Sequence, residues 1–233
     1  MKKSTLFTLL SVFVLIPGTL LLGRVLPGRS YYLTSTLVIF FILIPFFLAF
    51  EGRKPSAREL ALIAVLCALA VASRAAFAWL PNFKPIYGII IISGIAFGAQ
   101  TGFLVGAIGA FASNFLFGQG PWTPWQMLAY GICGCIAGLF YYRKKPLFPK
   151  DPFSLGIFGF VVVLFAVCPI LDTATVFTML SVFTPSAIIT VYTTAIFTNI
   201  IQAGCTFLTL LVLSKPLLVK LERIIRKYGL HNE

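Results

Sequence analysis

The sequence predicts an all-α integral membrane protein, a bundle of six helices preceded by two extra transmembrane helices. Three observations predict it. Of 233 residues, 59% are hydrophobic, and the mean hydropathy is +1.00. Charged residues make up 10%, against the roughly 25% that a water-facing surface requires. Those charges gather in short clusters at the ends of apolar runs, where a multi-pass protein places them.

Eight spans are expected, at 5–23, 31–50, 59–80, 84–98, 101–117, 125–142, 153–171 and 187–213. The first follows Lys2 and Lys3, but no small-x-small site comes after it, and Pro27, Gly28 and Arg29 read as a turn. It is therefore read as a span and not as a cleaved leader. The first two spans are rich in Leu, Phe, Ile and Val, as suits helices that face lipid. Composition shifts near residue 51. Ala57, Ala61, Ala64, Ala68 and Ala72 form a stripe at helical spacing on the third span. The fourth and fifth spans are short against the roughly 20 residues that cross a bilayer. Separated only by 98–102, they form a tightly turned pair that is tilted, broken or not fully spanning. Gly94, Gly98, Gly102, Gly106 and Gly109 recur across that pair, and Gly131, Gly134 and Gly138 on the sixth span. Such stripes let helix backbones approach closely. The division is thus 1–55 for the two additional helices, 56–214 for a six-helix functional core, and 215–233 for a basic tail.

The net charge of +12 does not imply a nucleic-acid partner, because the basic groups flank apolar runs and do not form one phosphate-facing surface. They orient the chain instead. With the N-terminus inside, the inner segments hold Lys2 and Lys3, then Arg53, Lys54 and Arg58, then Arg143, Lys144, Lys145 and Lys150, and finally Lys215, Lys220, Arg223, Arg226 and Lys227. Arg24, Arg29, Arg74 and Lys84 fall on the outer side. Both termini are then cytoplasmic.

No nucleotide or hydrolase motif of the GxxxxGK[ST], HExxH or GxSxG type is present, and the single histidine is His231. Cys67, Cys133, Cys135, Cys168 and Cys205 all lie in apolar runs and read as packing residues. Asp172 is the one acidic residue near an outer apolar stretch, and one carboxylate cannot supply paired acid/base or two-metal chemistry. The chain is read as a binding subunit with no catalytic residues, metal site or intrinsic cofactor. Any ATP hydrolysis belongs to another chain.

The informative polar residues collect toward the outer end. They are Asn82 in the 80–85 loop, Tyr87, Asn114, then Trp122, Trp125 and Gln126 around the 118–126 loop, Asp172, and Tyr192 with Asn199 inside the eighth span. If the helices form one bundle, these groups meet in an apolar-walled cavity with a few fixing points. Blander readings stand beside this one. Trp122 and Trp125 also suit an interfacial aromatic belt. Asn114, Asn199 and Gln202 also suit interhelical bonding. Arg74 is read as reaching the outer headgroups on its long stem, Asp172 as a helix cap or a partner of Arg74 or Lys84, and the alanine stripe as internal packing or a docking face.

From Arg58 to Tyr142 the sequence resembles the substrate-binding membrane subunit, the S component, of energy-coupling-factor vitamin transporters. The resemblance lies in the Ala-x-x-x-Ala steps of the first core helix, the Asn82-Phe83-Lys84-Pro85 loop, the glycine-punctuated 88–109 pair and the Gly131/Gly134/Gly138 helix. It implies a six-helix bundle in a bacterial cell membrane that captures a micronutrient from outside. It also implies docking, through Ala57, Ala61, Ala64 and Ala68, onto a transmembrane coupling subunit driven by two cytoplasmic ATPases. Among the substrates of the family, cobalamin or a related corrinoid suits outer loops rich in amides, hydroxyls and indoles and poor in cations. Another vitamin, a queuosine precursor or a lipoate-like compound remain alternatives. So do a stand-alone secondary carrier, although no related halves are visible, and a membrane assembly protein without transport.

Overall fold

The computed structural model describes residues 57–142, 147–180 and 184–228, together with the helical positions Leu37, Phe40, Phe41 and Ile44. Six helices make up the described bundle: α1 (Ala57–Ala76), α2 (Ile86–Phe97), α3 (Ala99–Phe117), α4 (Thr123–Tyr141), α5 (Pro152–Met179) and α6 (Pro185–Tyr228).

This corrects the expected eight-span architecture. Among the described residues, four helices (α1, α3, α5 and α6) are long and apolar enough to cross a membrane. The expected first and second spans, 5–23 and 31–50, fall outside the described residues apart from the four positions named above. Helix α2 has only 12 residues, about 18 Å of rise against a hydrocarbon core of about 30 Å. Helix α4 has the length, but Gln126, Thr123 and three glycines dilute its hydropathy. The physical reason is that a helix enclosed by other helices need not match the bilayer. Apolar runs report burial, and burial here is partly by protein.

Helix α2 shows this most clearly. Apart from Phe97, every residue in it is buried, and a helix apolar on all sides belongs in the middle of a bundle. It opens after Pro85, whose fixed φ suits a helix start. It stops at Gly98, whose φ of 90° lies where side chains are disfavoured. Helix α3 then starts at once. Helices α3 and α4 pack antiparallel with their backbones in direct contact. A Cβ added at Gly102 or Gly94 would strike the Gly134 carbonyl oxygen, and one at Gly106 would strike that of Tyr130. The glycine stripes predicted as close-approach surfaces serve that purpose here.

Helix α5 runs continuously through a π-helical turn at Val163–Val167. Pro169 comes directly after Cys168. It carries no N–H, and its ring would clash with the carbonyl four residues back, so the ladder is rearranged at this point and Cys168 bonds Val163 instead. One extra residue in a turn rotates the remainder of the helix by about 100°, which sets the facing of Asp172. The segment 172–179, expected as loop, continues as helix to Met179. Helix α6 carries Pro216 inside it and continues to Tyr228. At 44 residues it is about 66 Å long, so its Lys- and Arg-bearing end extends past any bilayer core.

The starts of α1, α5 and α3 and the ends of α4 and α6 share one end of the bundle. The polar loops at 77–85 and 118–122, with the facing ends of α5 and α6, make up the other.

Candidate functional site

A cavity of about 430 Å³ opens at that second end. The shortness of α2 creates it. Because α2 begins only at Ile86, space remains over its start, between the first turn of α4 and the upper parts of α5 and α6. Lys84, just before α2, lines it together with Trp122 and Gln126 of the α4 entry. Helix α5 contributes Leu171, Asp172, Ala174, Thr175, Thr178 and Met179, and α6 contributes Ala195, Thr198, Asn199 and Gln202.

The lining is held by hydrogen bonds between helices. Asn199 Nδ2 donates to Asp172 Oδ2 at 2.8 Å. Tyr87, fully buried, donates its hydroxyl proton to Gln202 Oε1 at 2.9 Å. Thr173 and Tyr192 share a hydroxyl contact of 2.7 Å that ties α5 to α6. Asn114 Nδ2 donates to Gln126 Oε1 at 2.8 Å and to Thr123 Oγ1 at 3.1 Å. Trp125 stacks on Phe177 with centroids 5.7 Å apart and planes 16° apart. Its ring is buried, and its indole N–H has no hydrogen-bond partner.

The residues singled out from sequence thus fall into three groups. Trp122, Gln126, Asp172 and Asn199 line the cavity. Tyr87, Asn114, Trp125 and Tyr192 stand behind the lining or beside it. Tyr87 and Asn114 touch lining residues directly, Trp125 packs on Phe177, and Tyr192 reaches Thr173, next to Asp172. Asn82 lies in the loop before Lys84 with a φ of 60°, the left-handed region that asparagine tolerates best after glycine. It is not part of the lining. Its contribution is to the turn that presents Lys84.

Sequence reasoning misses part of this site. It weighs Lys84 only as a partner of Asp172, sets Asn199 among the cavity groups and also as interhelical glue, gives Gln202 only the latter role, and does not single out Thr178. A period-3.6 reading of α6, with Ala195, Thr198, Asn199 and Gln202 on one face, is the available signal. Arg74 is a correction. It does not reach outward to headgroups. It is 8% exposed, its Nη1 donates to Ser113 Oγ and, at 3.1 Å, to Asn114 Oδ1, and its guanidinium lies 4.3 Å from the Phe117 ring centroid. A side chain able to satisfy its charge inside the bundle has no need to snorkel. Asp172 pairs with Asn199, and not with Arg74 or Lys84.

The alanine stripe is also placed. Ala57, Ala61, Ala64, Ala68 and Ala72 are all exposed on α1, whereas Ile63, Leu66, Cys67 and Ala70 form its buried face. It is not internal packing. All five cysteines are free thiols. Among the described residues, no group of three His, Cys, Asp or Glu side chains stands close enough to hold a metal ion.

The described helices form a multi-pass bundle with a polar-lined cavity at the end away from Arg58, Lys150 and the basic residues of α6, and such a cavity can hold a small solute. The family model described as "ECF-type riboflavin transporter, S component" matches residues 54–220, and the chain belongs to that family. Membership agrees with a membrane-embedded chain, since four of its described helices are long and apolar enough to cross a bilayer. Similar proteins include a UPF0397 protein of Vibrio atlanticus, 32% identical over 83 residues, which are 36% of this chain and 45% of the relative. Another is a UPF0397 protein of Aliivibrio fischeri, 34% identical over 77 residues, which are 33% of this chain and 39% of the relative. The chain spans less than half the length of these curated relatives. No solved structure matches.

Proposed function

We propose that this chain captures a flat, polar-edged heteroaromatic vitamin of flavin size in the cavity above α2, and delivers it to an ATP-driven coupling complex. The observation that carries this reading is the cavity itself. Its volume of about 430 Å³ lies in the range of small-molecule sites. A tricyclic ring with a hydroxylated chain fits such a volume. The corrinoid inferred from the amide-rich loops, with its macrocycle, peripheral amides and nucleotide arm, is several times bulkier, so the volume weighs against it. The lining suits the smaller ligand. Trp122 offers a ring face. Gln126, Gln202, Asn199, Thr178 and Thr198 offer hydrogen bonds to ring carbonyls and hydroxyls, while Lys84 and Asp172 supply one charge of each sign. The family description, which names riboflavin, supports the same substrate class.

The basic end of the bundle is cytoplasmic and the cavity opens outward, since Arg58, Lys150, Lys215, Lys220, Arg223, Arg226 and Lys227 collect at the end away from the cavity. Docking onto the coupling subunit uses the exposed stripe of Ala57, Ala61, Ala64 and Ala68, where small side chains let a partner helix come close.

The test is a parallel titration of the detergent-purified protein with riboflavin and with cobalamin. Saturable quenching of flavin fluorescence is expected without ATP, weakened at least about tenfold by Trp122→Ala if that ring covers the ligand. Saturable cobalamin binding with no flavin binding would overturn the size argument. Binding of neither would remove the vitamin-capture reading altogether.

A further inference from the structure

Arg74 is buried in an apolar span, and no carboxylate pairs with it among the described residues. The hydrogen bonds that satisfy Arg74 have a direction, and that direction ends at the cavity. Guanidinium donates and never accepts. Ser113 has spent its proton on the Ala110 carbonyl at 2.9 Å, so it can only accept from Arg74. Asn114 must then present Oδ1 to Arg74, which leaves its NH2 group to face the other way. Those two protons go to Thr123 Oγ1 and Gln126 Oε1.

The far end of the chain agrees. Gln119 Nε2 donates to the Phe111 carbonyl at 3.0 Å, so its Oε1 accepts from Thr123 at 2.9 Å. Thr123 Oγ1 also accepts from the Gly120 N–H at 3.2 Å. It can therefore only accept from Asn114. The chain is anchored by a group that cannot accept at the buried end and by one that cannot donate at the exposed end. Gln126 is left with a single orientation, in which its carbonyl oxygen is consumed behind the wall. Its NH2 group makes no other hydrogen bond among the described residues, and the residue lines the cavity.

We infer that Arg74 is a specificity-determining positioning residue: acting through Asn114, it makes Gln126 a fixed hydrogen-bond donor at the cavity wall, so the captured ligand carries an acceptor, a ring carbonyl or an unprotonated ring nitrogen, at that point. The inference deepens the proposed capture function and rests on this cavity being the capture site. A wall that donates at Gln126 penalises a ligand presenting N–H there, because two facing donors stay unpaired in a buried place.

The experiment uses the full chain in detergent, with riboflavin as the probe and thermal unfolding as the check on folding. Asn114→Asp offers only acceptors to both neighbours. It keeps the volume and the contact to Arg74, but forces Gln126 to turn its NH2 inward and its oxygen outward. Gln126→Glu keeps the inward acceptor and replaces the outward donor. Each is expected to weaken riboflavin binding by more than about tenfold. Arg74→Lys, still a pure donor, is expected to retain binding to within about threefold, whereas Arg74→Gln, which can donate or accept, loses more. A second readout needs no ligand. With side-chain amides labelled by ¹⁵N, the Asn114 NH2 protons of the wild type are protected from solvent exchange and those of Gln126 exchange. Asn114→Asp reverses the Gln126 behaviour. Protected Gln126 protons in the wild type, or Asn114→Asp binding riboflavin as the wild type does, would overturn the inference. If the wild type binds no riboflavin, the substrate reading fails, and amide exchange still decides the polarity of the wall.

Discussion

Asp172 illustrates how a residue that is ambiguous in sequence gains a function from its neighbours. In sequence it is a lone acid near an apolar run, and in the fold it accepts a hydrogen bond from Asn199 and lines the cavity. Asp172→Ala leaves the Asn199 amide unpartnered in a buried place, at a cost of about 1–3 kcal/mol. The expected outcome is a lower unfolding temperature in detergent together with weaker ligand binding. Asp172→Asn keeps a side-chain oxygen for Asn199 and should recover most of the stability. If the two variants unfold alike, the Asp172–Asn199 bond contributes nothing. Arg74 teaches the complementary lesson. Its charge is visible in the sequence and its destination is not, because whether a long cation snorkels or turns inward depends on acceptors 39 and 40 positions away in the chain.

At the scale of elements, the α3–α4 contact holds the bundle together where side chains are smallest. Gly134→Ala places a Cβ on the Gly102 carbonyl. Backbone cannot give way as a flexible side chain can, so the two helices must separate, at about 1–3 kcal/mol or more. Gly109→Ala is the internal control, since its Cβ would meet only the Ala70 Cβ at 3.7 Å, an ordinary contact. Thermal unfolding of both variants checks this: a marked drop is expected for Gly134→Ala and little change for Gly109→Ala. The glycine pattern makes this pairing legible from sequence. The π turn in α5 is less legible, although Pro169 signals some break in the ladder. Helix α2 is legible as short, but its consequence, an open volume above its first turn, depends on the longer helices around it.

For the whole molecule, two measurements address orientation and assembly. With cysteine introduced at Gln119 or at Lys150, both exposed, an impermeant thiol reagent applied to intact cells should label the first and spare the second, read against a background lacking the five native cysteines. The reverse pattern would invert the proposed orientation. Ala64→Trp places a large ring on the exposed face of α1, where the proposed partner helix must approach closely. Co-purification of the coupling subunit should fall sharply while flavin binding by the isolated chain is unchanged. Retention of the full complex would move the docking surface elsewhere.

Composition and hydropathy by themselves determined that this chain lives in a membrane as packed helices, because a bilayer demands apolar length and internally satisfied backbone. Spacing alone determined the close-approach glycines and the alanine stripe, since helical periodicity is local. Sequence could not decide how many helices meet lipid, because an apolar run looks the same whether lipid or protein surrounds it, and so the expectation of eight spans gave way to six described helices with four of crossing length. Nor could it decide which polar groups form the cavity. That set joins Lys84 and Gln126 to residues of α5 and α6 far along the chain, and it arises from how a 12-residue helix sits among longer ones. The direction of hydrogen bonding from Arg74 to Gln126 is likewise tertiary, because a donor fixes its neighbours only once packing has brought them within reach and excluded the water that would otherwise satisfy either orientation.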